Sequence, residues 1–121
     1  MPTATEIRLH RADGVLEVAF DDGARFRLPS EYLRVESPSA EVQGHGPGQK
    51  TVVSGRRHVR VIGVEAVGNY AVRLTFDDLH DTGIYTWEYL YELGEGQETR
   101  WQAYLDELAA RGLSRDPSGR N

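Results

Sequence analysis

The segment from Tyr70 to Asp77 alternates strictly between two sets of side chains. One set is Tyr70, Val72, Leu74 and Phe76, and the other is Ala71, Arg73, Thr75 and Asp77. Successive side chains of a β-strand point to opposite faces, so this pattern predicts a strand with one buried face. The apolar run from Val59 to Val67 precedes it, and Gly68-Asn69 between the two runs is a two-residue hairpin signal. The chain is therefore expected to form an antiparallel hairpin that must bury its apolar face.

The N-terminal part of the chain repeats this arrangement. Apolar residues alternate with polar ones from Ile7 to His10 and from Leu16 to Phe20, with Asp13-Gly14 between the two runs. Asp22-Gly23 then precedes a third run, Arg25 to Leu28. Asp-Gly favours a type I′ turn, since both central positions of that turn need positive φ. The pattern predicts a three-stranded meander.

A short helix and a long loop are predicted to follow the meander. Pro29 removes an N–H donor and ends the ladder, and Ser30 to Arg34 is predicted to form one or two helical turns. Glu36 to Arg57 is rich in Gly and Pro, with Val52-Val53 as a possible short strand within it. A loop of that length in a small domain is usually functional or mobile.

The first of two C-terminal helices is predicted after the hairpin. Trp87, Leu90 and Tyr91 recur at the spacing of one helix face. Thr86 is the expected N-cap, and Gly94 is the expected residue at which the helix ends.

The second helix is predicted from about Glu98 to Arg111, ended by Gly112. Its apolar stripe consists of Trp101, Tyr104, Leu105 and Leu108. Hairpins followed by helices predict an α+β domain: an antiparallel sheet, a short helix after the first meander, and two C-terminal helices packed on one face or end. We expect a single domain over residues 1–112 and a polar, disordered tail over residues 113–121.

Composition excludes several classes of function. The net charge of −5 argues against nucleic-acid binding, which depends on clustered Lys and Arg. The absence of Cys excludes disulfides, thiolate metal sites and Cys nucleophiles. No apolar run approaches the length of a membrane span, and no signal peptide is recognisable, so a cytoplasmic protein without membrane contact is expected.

His80 is the main candidate for chemistry, because it stands between Asp78 and Asp81. It could be a general base with a carboxylate orienter, as in a small hydrolase or lyase, although no nucleophile motif accompanies it. With His45 and one of these carboxylates it could bind zinc or iron. The alternative is structural: the aspartates would accept hydrogen bonds from local backbone amides, and His45 would be a solvated loop residue.

Three aromatic residues near this segment are candidates for an interaction surface. Tyr85, Trp87 and Tyr89 cannot all be buried in so short a helix, and exposed aromatic side chains favour interfaces. The alternative is that Trp87 and Tyr91 belong to the core and Tyr89 only covers part of the surface.

Three motifs carry a resemblance to a known family. They are the segments Ser37 to Gly46, Val67 to Leu74 and His80 to Trp87, which occur in this order. On these residues the chain resembles the bacterial stand-alone members of the gamma-butyrobetaine hydroxylase-like N-terminal domain family, a domain of unknown function. The resemblance covers about Ile7 to Leu93.

The resemblance implies a zinc site and a neighbouring catalytic domain in the hydroxylases that give the family its name. There, such a domain holds zinc with three Cys and one His and precedes a 2-oxoglutarate- and iron-dependent catalytic domain. Here the Cys-rich segment matches Ser37-Pro38-Ser39 and the residues after it, and the family His matches His80. Three of the four ligands are therefore missing, and no catalytic domain is expected here, because the sequence after Leu93 is too short to form one.

The sequence thus predicts a non-catalytic accessory or protein-interaction domain. Its partner is expected to be another protein, and the resemblance links it to 2-oxoglutarate oxygenase or iron–sulfur chemistry in another chain. A metal-binding domain that uses His80, His45, Asp78 and Asp81 is the alternative.

Overall fold

The computed structural model describes residues 2–44 and 50–117 and contains two three-stranded antiparallel sheets. The first sheet consists of β1 (Ala4–His10), β2 (Val15–Phe20) and β3 (Arg25–Pro29). The second consists of β4 (Val61–Val67), β5 (Ala71–Phe76) and β6 (Ile84–Thr86). Neighbouring strands pair in chain order within each sheet. The predicted meander and the hairpin after Val67 are both confirmed.

In the part of the chain that the structure describes, four helices complete the fold and confirm the α+β class. They are α1 (Ser30–Val35), α2 (Ala40–Gln43), α3 (Trp87–Glu95) and α4 (Gln97–Ala110). The side chain of Thr86 caps α3 as predicted, because its Oγ1 accepts a hydrogen bond of 3.1 Å from the amide of Tyr89. Within the described residues, no helix has the length and apolar character needed to cross a membrane.

Both sheets and α3 share one hydrophobic core. Its buried side chains include Leu16, Val18, Phe20, Leu28, Val72, Leu74, Phe76, Leu90 and Leu93. A second, smaller cluster joins α4 to the end of α1 and to the segment that follows it, through Val35, Val42, Val53, Tyr104 and Leu108. This second cluster holds the irregular segment around α2 against the body of the domain.

The turns differ from the predicted type I′ hairpins. Four residues separate β1 from β2 and β2 from β3, and three separate β4 from β5. Gly14 and Gly68 have positive φ, 66° and 54°, but Asp13 and Asn69 do not. The loops are longer than two residues, so only the glycine of each pair needs the left-handed conformation. Val52 and Val53 form no strand.

Gly94 was expected to end α3, and this prediction is wrong. The helix continues to Glu95, and Gly94 lies within it. A Cβ atom at Gly94 would be 2.3 Å from Cγ of Phe26 on β3, far inside van der Waals contact. Glycine is needed there for close packing against the sheet.

The C-terminal segment contacts the body of the domain at Ser114 and Arg115, and the expectation of a disordered tail over residues 113–121 stays a prediction. The guanidinium of Arg115 makes two hydrogen bonds to the buried carboxylate of Glu31, at 2.7 and 2.9 Å. Backbone amides of Gly55 and Arg57 donate to the carbonyls of Ser114 and Arg115. Composition alone does not reveal such specific pairing.

Candidate functional site

A tight turn after β5 places His80 and Leu79 in opposite environments. The amide of Leu79 donates to the carbonyl of Phe76 at 3.0 Å, and the amide of Phe76 donates to the carbonyl of His80 at 2.9 Å. The turn directs the His80 side chain inward and leaves Leu79 at the surface: His80 is 8% exposed and Leu79 is 85% exposed.

The imidazole of His80 meets two serines from the segment between α1 and α2. Its Nε2 lies 2.9 Å from Oγ of Ser37 and 3.4 Å from Oγ of Ser39. Gly83 makes this approach possible, because a Cβ atom there would lie 2.6 Å from Oγ of Ser37. The structure thus brings His80, the main candidate from the sequence, together with the Ser37-Pro38-Ser39 segment. Ser37 and His80 are 43 residues apart in the chain.

The surroundings of His80 disfavour its charged form. Burial lowers its pKa below the ordinary histidine value, and the nearby Arg34 guanidinium adds to the effect, while the carboxylates of Glu41, Asp78 and Asp81 oppose it. Glu41 lies 4.0 Å from Nδ1. A carboxylate on that side favours the tautomer with the proton on Nδ1, so we infer that Nε2 accepts a hydrogen bond from Ser37.

Ser37, His80 and Glu41 have the chemical types of a nucleophile, a base and an orienting acid. Ser37 is nevertheless 0% exposed, so a substrate carbonyl has no path to its Oγ in this structure. Its Oγ also accepts from the amide of Ser39 at 3.3 Å. The geometry is that of a buried hydrogen-bond network that ties the β5–β6 turn to the α1–α2 segment.

Asp78 makes ion pairs with two arginines. Its Oδ2 accepts hydrogen bonds of 2.8 Å from Nε of Arg34 and from Nε of Arg56, and its Oδ1 accepts from the amide of His80. Burial acts to raise the pKa of Asp78, but the His80 amide and the two guanidinium groups hold it below its ordinary value. Asp78 therefore joins α1, the segment before β4 and the turn.

The described residues do not fit the zinc ion that the family resemblance implied. Zinc in proteins is bound by thiolates, imidazoles and carboxylates, and Ser37 and Ser39 offer only hydroxyl groups that already contact His80. In residues 2–44 and 50–117 no group of three His, Asp or Glu side chains is arranged to hold a metal. Asp81 is exposed. His45 lies outside the described residues, so its contribution to a metal site stays a prediction.

The three aromatic candidates have different environments. Tyr85, one of the three candidates for the interaction surface, is 0% exposed, so its side chain is not available to a partner in this structure. Its hydroxyl donates to the carbonyl of Leu33 at 2.5 Å, which is why a large polar side chain is stable there. Trp87 and Tyr89 are half-buried against the core. Their part in an interaction surface stays a prediction.

Sequence reasoning missed Leu79 and Arg34. In the sequence, Leu79 is an ordinary residue in a turn after two aspartates. Only the structure shows its positive φ and its exposed side chain. Arg34 was included in the predicted α1, but its partner Asp78 is 44 residues away. No local pattern identifies such a pair.

Comparisons with known proteins agree with this fold. The family model described as gamma-butyrobetaine hydroxylase-like, N-terminal, matches residues 7–91. No curated protein matches the chain.

Several solved structures are similar to the chain. Two structures determined by NMR in solution have 46% and 45% sequence identity and TM-scores of 0.84 and 0.83; the alignments cover 99% and 100% of this chain and 94% and 90% of theirs. A crystal structure of a protein with unknown function from Acidithiobacillus ferrooxidans, of the DUF971 family, has 44% identity and a TM-score of 0.65. That alignment covers 76% of this chain and 92% of the other.

Proposed function

This chain belongs to the gamma-butyrobetaine hydroxylase-like N-terminal domain family, and we propose that it acts as a non-catalytic protein-interaction domain. The partner we propose is a protein of 2-oxoglutarate oxygenase or iron–sulfur chemistry, because related domains accompany both. The observation that carries the interaction role is the conformation of one residue, Leu79.

Two independent features of Leu79, its backbone conformation and its exposure to solvent, are unfavourable for the stability of the folded protein. Within the described residues it is the single non-glycine with positive φ, at 73°, a conformation that costs an L-residue about 1–2 kcal/mol. It is also 85% exposed, so its apolar side chain gains almost nothing from the core. A glycine or asparagine would suit the backbone better, and a polar side chain would suit the solvent better. Binding to a partner accounts for both features, because the side chain is then buried.

The surroundings of Leu79 indicate the chemistry of the partner. Asp77 and Asp81 flank the turn and are exposed, and the Glu41 side chain is 66% exposed beside it. Thr82 donates a hydrogen bond to Glu41, which keeps that carboxylate next to the turn. A partner with an apolar pocket bordered by Lys or Arg would complement this surface, since opposite charges steer association.

Site-specific photo-crosslinking tests the proposal. A photoreactive leucine analogue at position 79 should crosslink one partner, and the same analogue at Leu113, which is 41% exposed, should not. With the purified partner, Leu79→Asn should weaken binding by about 10-fold or more, the effect of losing one buried leucine side chain. Leu113→Asn is the matched control and should leave the affinity unchanged.

Two results would overturn the proposal. One is crosslinking at position 79 that is no more specific than at position 113. The other is a purified complex in which Leu79→Asn and Leu113→Asn have equal effects. Added salt should also slow association, because the flanking carboxylates act at long range.

A further inference from the structure

The outer edge of β4 is unpaired over most of its length. Among the described strands, β4 pairs only with β5. At its start, the amide of Val61 donates to Oγ of Ser30 at 3.1 Å. The carbonyl of Ile62 accepts from the guanidinium of Arg11 at 3.3 Å. From Gly63 to Val67, no hydrogen bond from outside the β4–β5 hairpin reaches the strand in the part of the chain that the structure describes. Such an edge is a template for pairing with another chain.

The apolar face of the sheet continues to this edge without a cover. Val64 pairs with Leu74, and Ala66 pairs with Val72. Directly paired residues lie on the same face of a sheet, so these four side chains share one face. Leu74 and Val72 are 0% and 3% exposed, whereas Val64 is 37% exposed and Ala66 is also exposed. A neighbouring strand with apolar side chains would remove this area from water.

The edge lacks the features that usually prevent such pairing, which are Lys, Pro and charges that point towards the core. β4 contains neither Lys nor Pro, and its register with β5 is regular from Gly63 to Val67. Its single charged residue, Glu65, lies on the opposite face from Val64 and forms an ion pair with Arg73. The charge of Glu65 is therefore compensated within the hairpin.

We propose that a second copy of this chain occupies this edge, with the two β4 strands antiparallel about a two-fold axis at Val64. A two-fold axis brings the same surface of both copies together, so this surface must complement itself. In this register Val64 lies opposite Val64 of the second copy, and Ile62, which is 44% exposed, lies opposite Ala66. Glu65 lies opposite Gly63, which has no side chain, so no like charges are opposed.

Arg11 adds a complementary charge to this interface. It is exposed, and its guanidinium contacts the carbonyl of Ile62 at the free edge. In the proposed register, Glu65 of the second copy lies opposite Gly63, the neighbour of Ile62, so its carboxylate comes close to Arg11. The two-fold axis repeats this pair on the other side of Val64. Attraction between the two charges supports this register. An axis at Glu65 would instead place two carboxylates opposite each other, which is destabilising.

NMR measurements on the whole chain test the proposal. One pair of strands makes a small interface, so the dimer should be weak, with a dissociation constant of about 0.1–1 mM. Translational diffusion over about 0.02–2 mM protein should therefore show a monomer–dimer equilibrium. Ile62 and Ala66 are about 13 Å apart within one strand, because each residue of a strand adds about 3.3 Å. A nuclear Overhauser effect between their side chains can arise only between two copies, so it reports the register.

Substitutions at Val64 test the position of the axis. Val64→Lys and Val64→Glu should each raise the dissociation constant by about 10-fold or more, because like charges meet at the axis. An equimolar mixture of the two variants should associate, because opposite charges then meet. Ile84→Lys is the matched control: Ile84 is 42% exposed but lies on β6, at the other edge of the sheet, and its substitution should leave association unchanged. Leu79→Asn should also leave it unchanged, which separates this proposal from the interaction proposed at Leu79.

Three results would overturn the inference. The first is a protein that stays monomeric over the whole concentration range, which would leave the edge to a different protein. The second is a dimer without the contact between Ile62 and Ala66. The third is a mixture of Val64→Lys and Val64→Glu that associates no better than either variant alone. The backbone amide spectrum of each variant verifies that it is folded.

Discussion

The Nε2 atom of His80 lies 2.9 Å from the Oγ atom of Ser37, and both side chains are buried. The resemblance matches these two segments to the histidine and the Cys-rich segment of a zinc site in the hydroxylases that give the family its name. Here a hydrogen bond joins the same two segments of chain. A neutral hydrogen bond contributes less to folding stability than a bound zinc ion does. The packing around Ser37 and His80 must therefore supply more of the stability of this region.

Removal of the Ser37 hydroxyl should therefore destabilise the fold. Ser37→Ala leaves Nε2 of His80 buried without its nearest partner, which should cost about 1–3 kcal/mol in the free energy of unfolding. Ser39→Ala should cost less, because its Oγ is 3.4 Å from the same nitrogen. Urea denaturation of both variants measures the difference. Equal losses would contradict the assignment of Ser37 as the principal partner.

The stability of the protein should depend on pH through His80. The folded state lowers the pKa of His80 below its value in the unfolded chain, so the unfolded state takes up more protons. Stability is therefore fully present above about pH 6.5, the ordinary histidine pKa, and is lost as pH falls from there towards the folded pKa. Denaturant unfolding between pH 7.5 and 5 should show this loss in the wild type.

His80→Gln isolates the contribution of this residue. The variant should be less stable at neutral pH but should have a flatter pH dependence between pH 7.5 and 5. His58→Gln is the control, because His58 is exposed, and it should keep the slope of the wild type. A slope that is unchanged in His80→Gln would show that other groups cause the pH dependence.

Leu79→Gly should raise the free energy of unfolding by up to about 1.5 kcal/mol. The substitution removes the cost of a left-handed backbone in an L-residue, about 1–2 kcal/mol, and adds about 0.5–1 kcal/mol of lost chain entropy. Few mutations to glycine stabilise a protein, so the sign is diagnostic. A thermal or chemical unfolding experiment measures it, with Leu113→Gly as a control that should be neutral or destabilising.

Gly94→Ala should destabilise the protein, although alanine is the better helix former. The added Cβ meets the ring of Phe26 at 2.3 Å, and such overpacking costs about 1–3 kcal/mol. Gly96→Ala is a matched control: its nearest contact would be 3.3 Å, to the carbonyl oxygen of Glu92. An increase in stability for Gly94→Ala would show that β3 and α3 are not packed as described.

Arg115→Ala should destabilise the domain even though Arg115 lies near the C-terminal end of the described chain. It leaves the buried Glu31 carboxylate, whose side chain is 7% exposed, without its two hydrogen bonds. Because Arg115 itself is 29% exposed, solvent screening should limit the loss to about 1–2 kcal/mol. Arg111→Ala removes an exposed i,i+4 pair with Glu107 and should cost less than about 0.5 kcal/mol. Equal losses in the two variants would indicate that the tail is free.

The sequence by itself determined the elements whose signal is local. The alternation of Val72, Leu74 and Phe76 depends on two-residue periodicity, so it predicts β5 and these buried side chains without knowledge of the rest of the chain. Tyr70 was expected on the same face, but it precedes β5 and is 52% exposed. Thr86 was recognisable as an N-cap because capping is a contact between near neighbours. The same is true of the short helix α1 after Pro29.

Only the tertiary structure decided which distant residues meet. Ser37 and His80 are 43 positions apart, and Arg34 and Asp78 are 44 apart, so no periodicity relates them. The exposure of Leu79 and the burial of Tyr85 depend on the direction of the β5–β6 turn and not on their residue types. Alternation and capping act over a few residues, whereas the site is formed by side-chain packing between segments that the fold brings together.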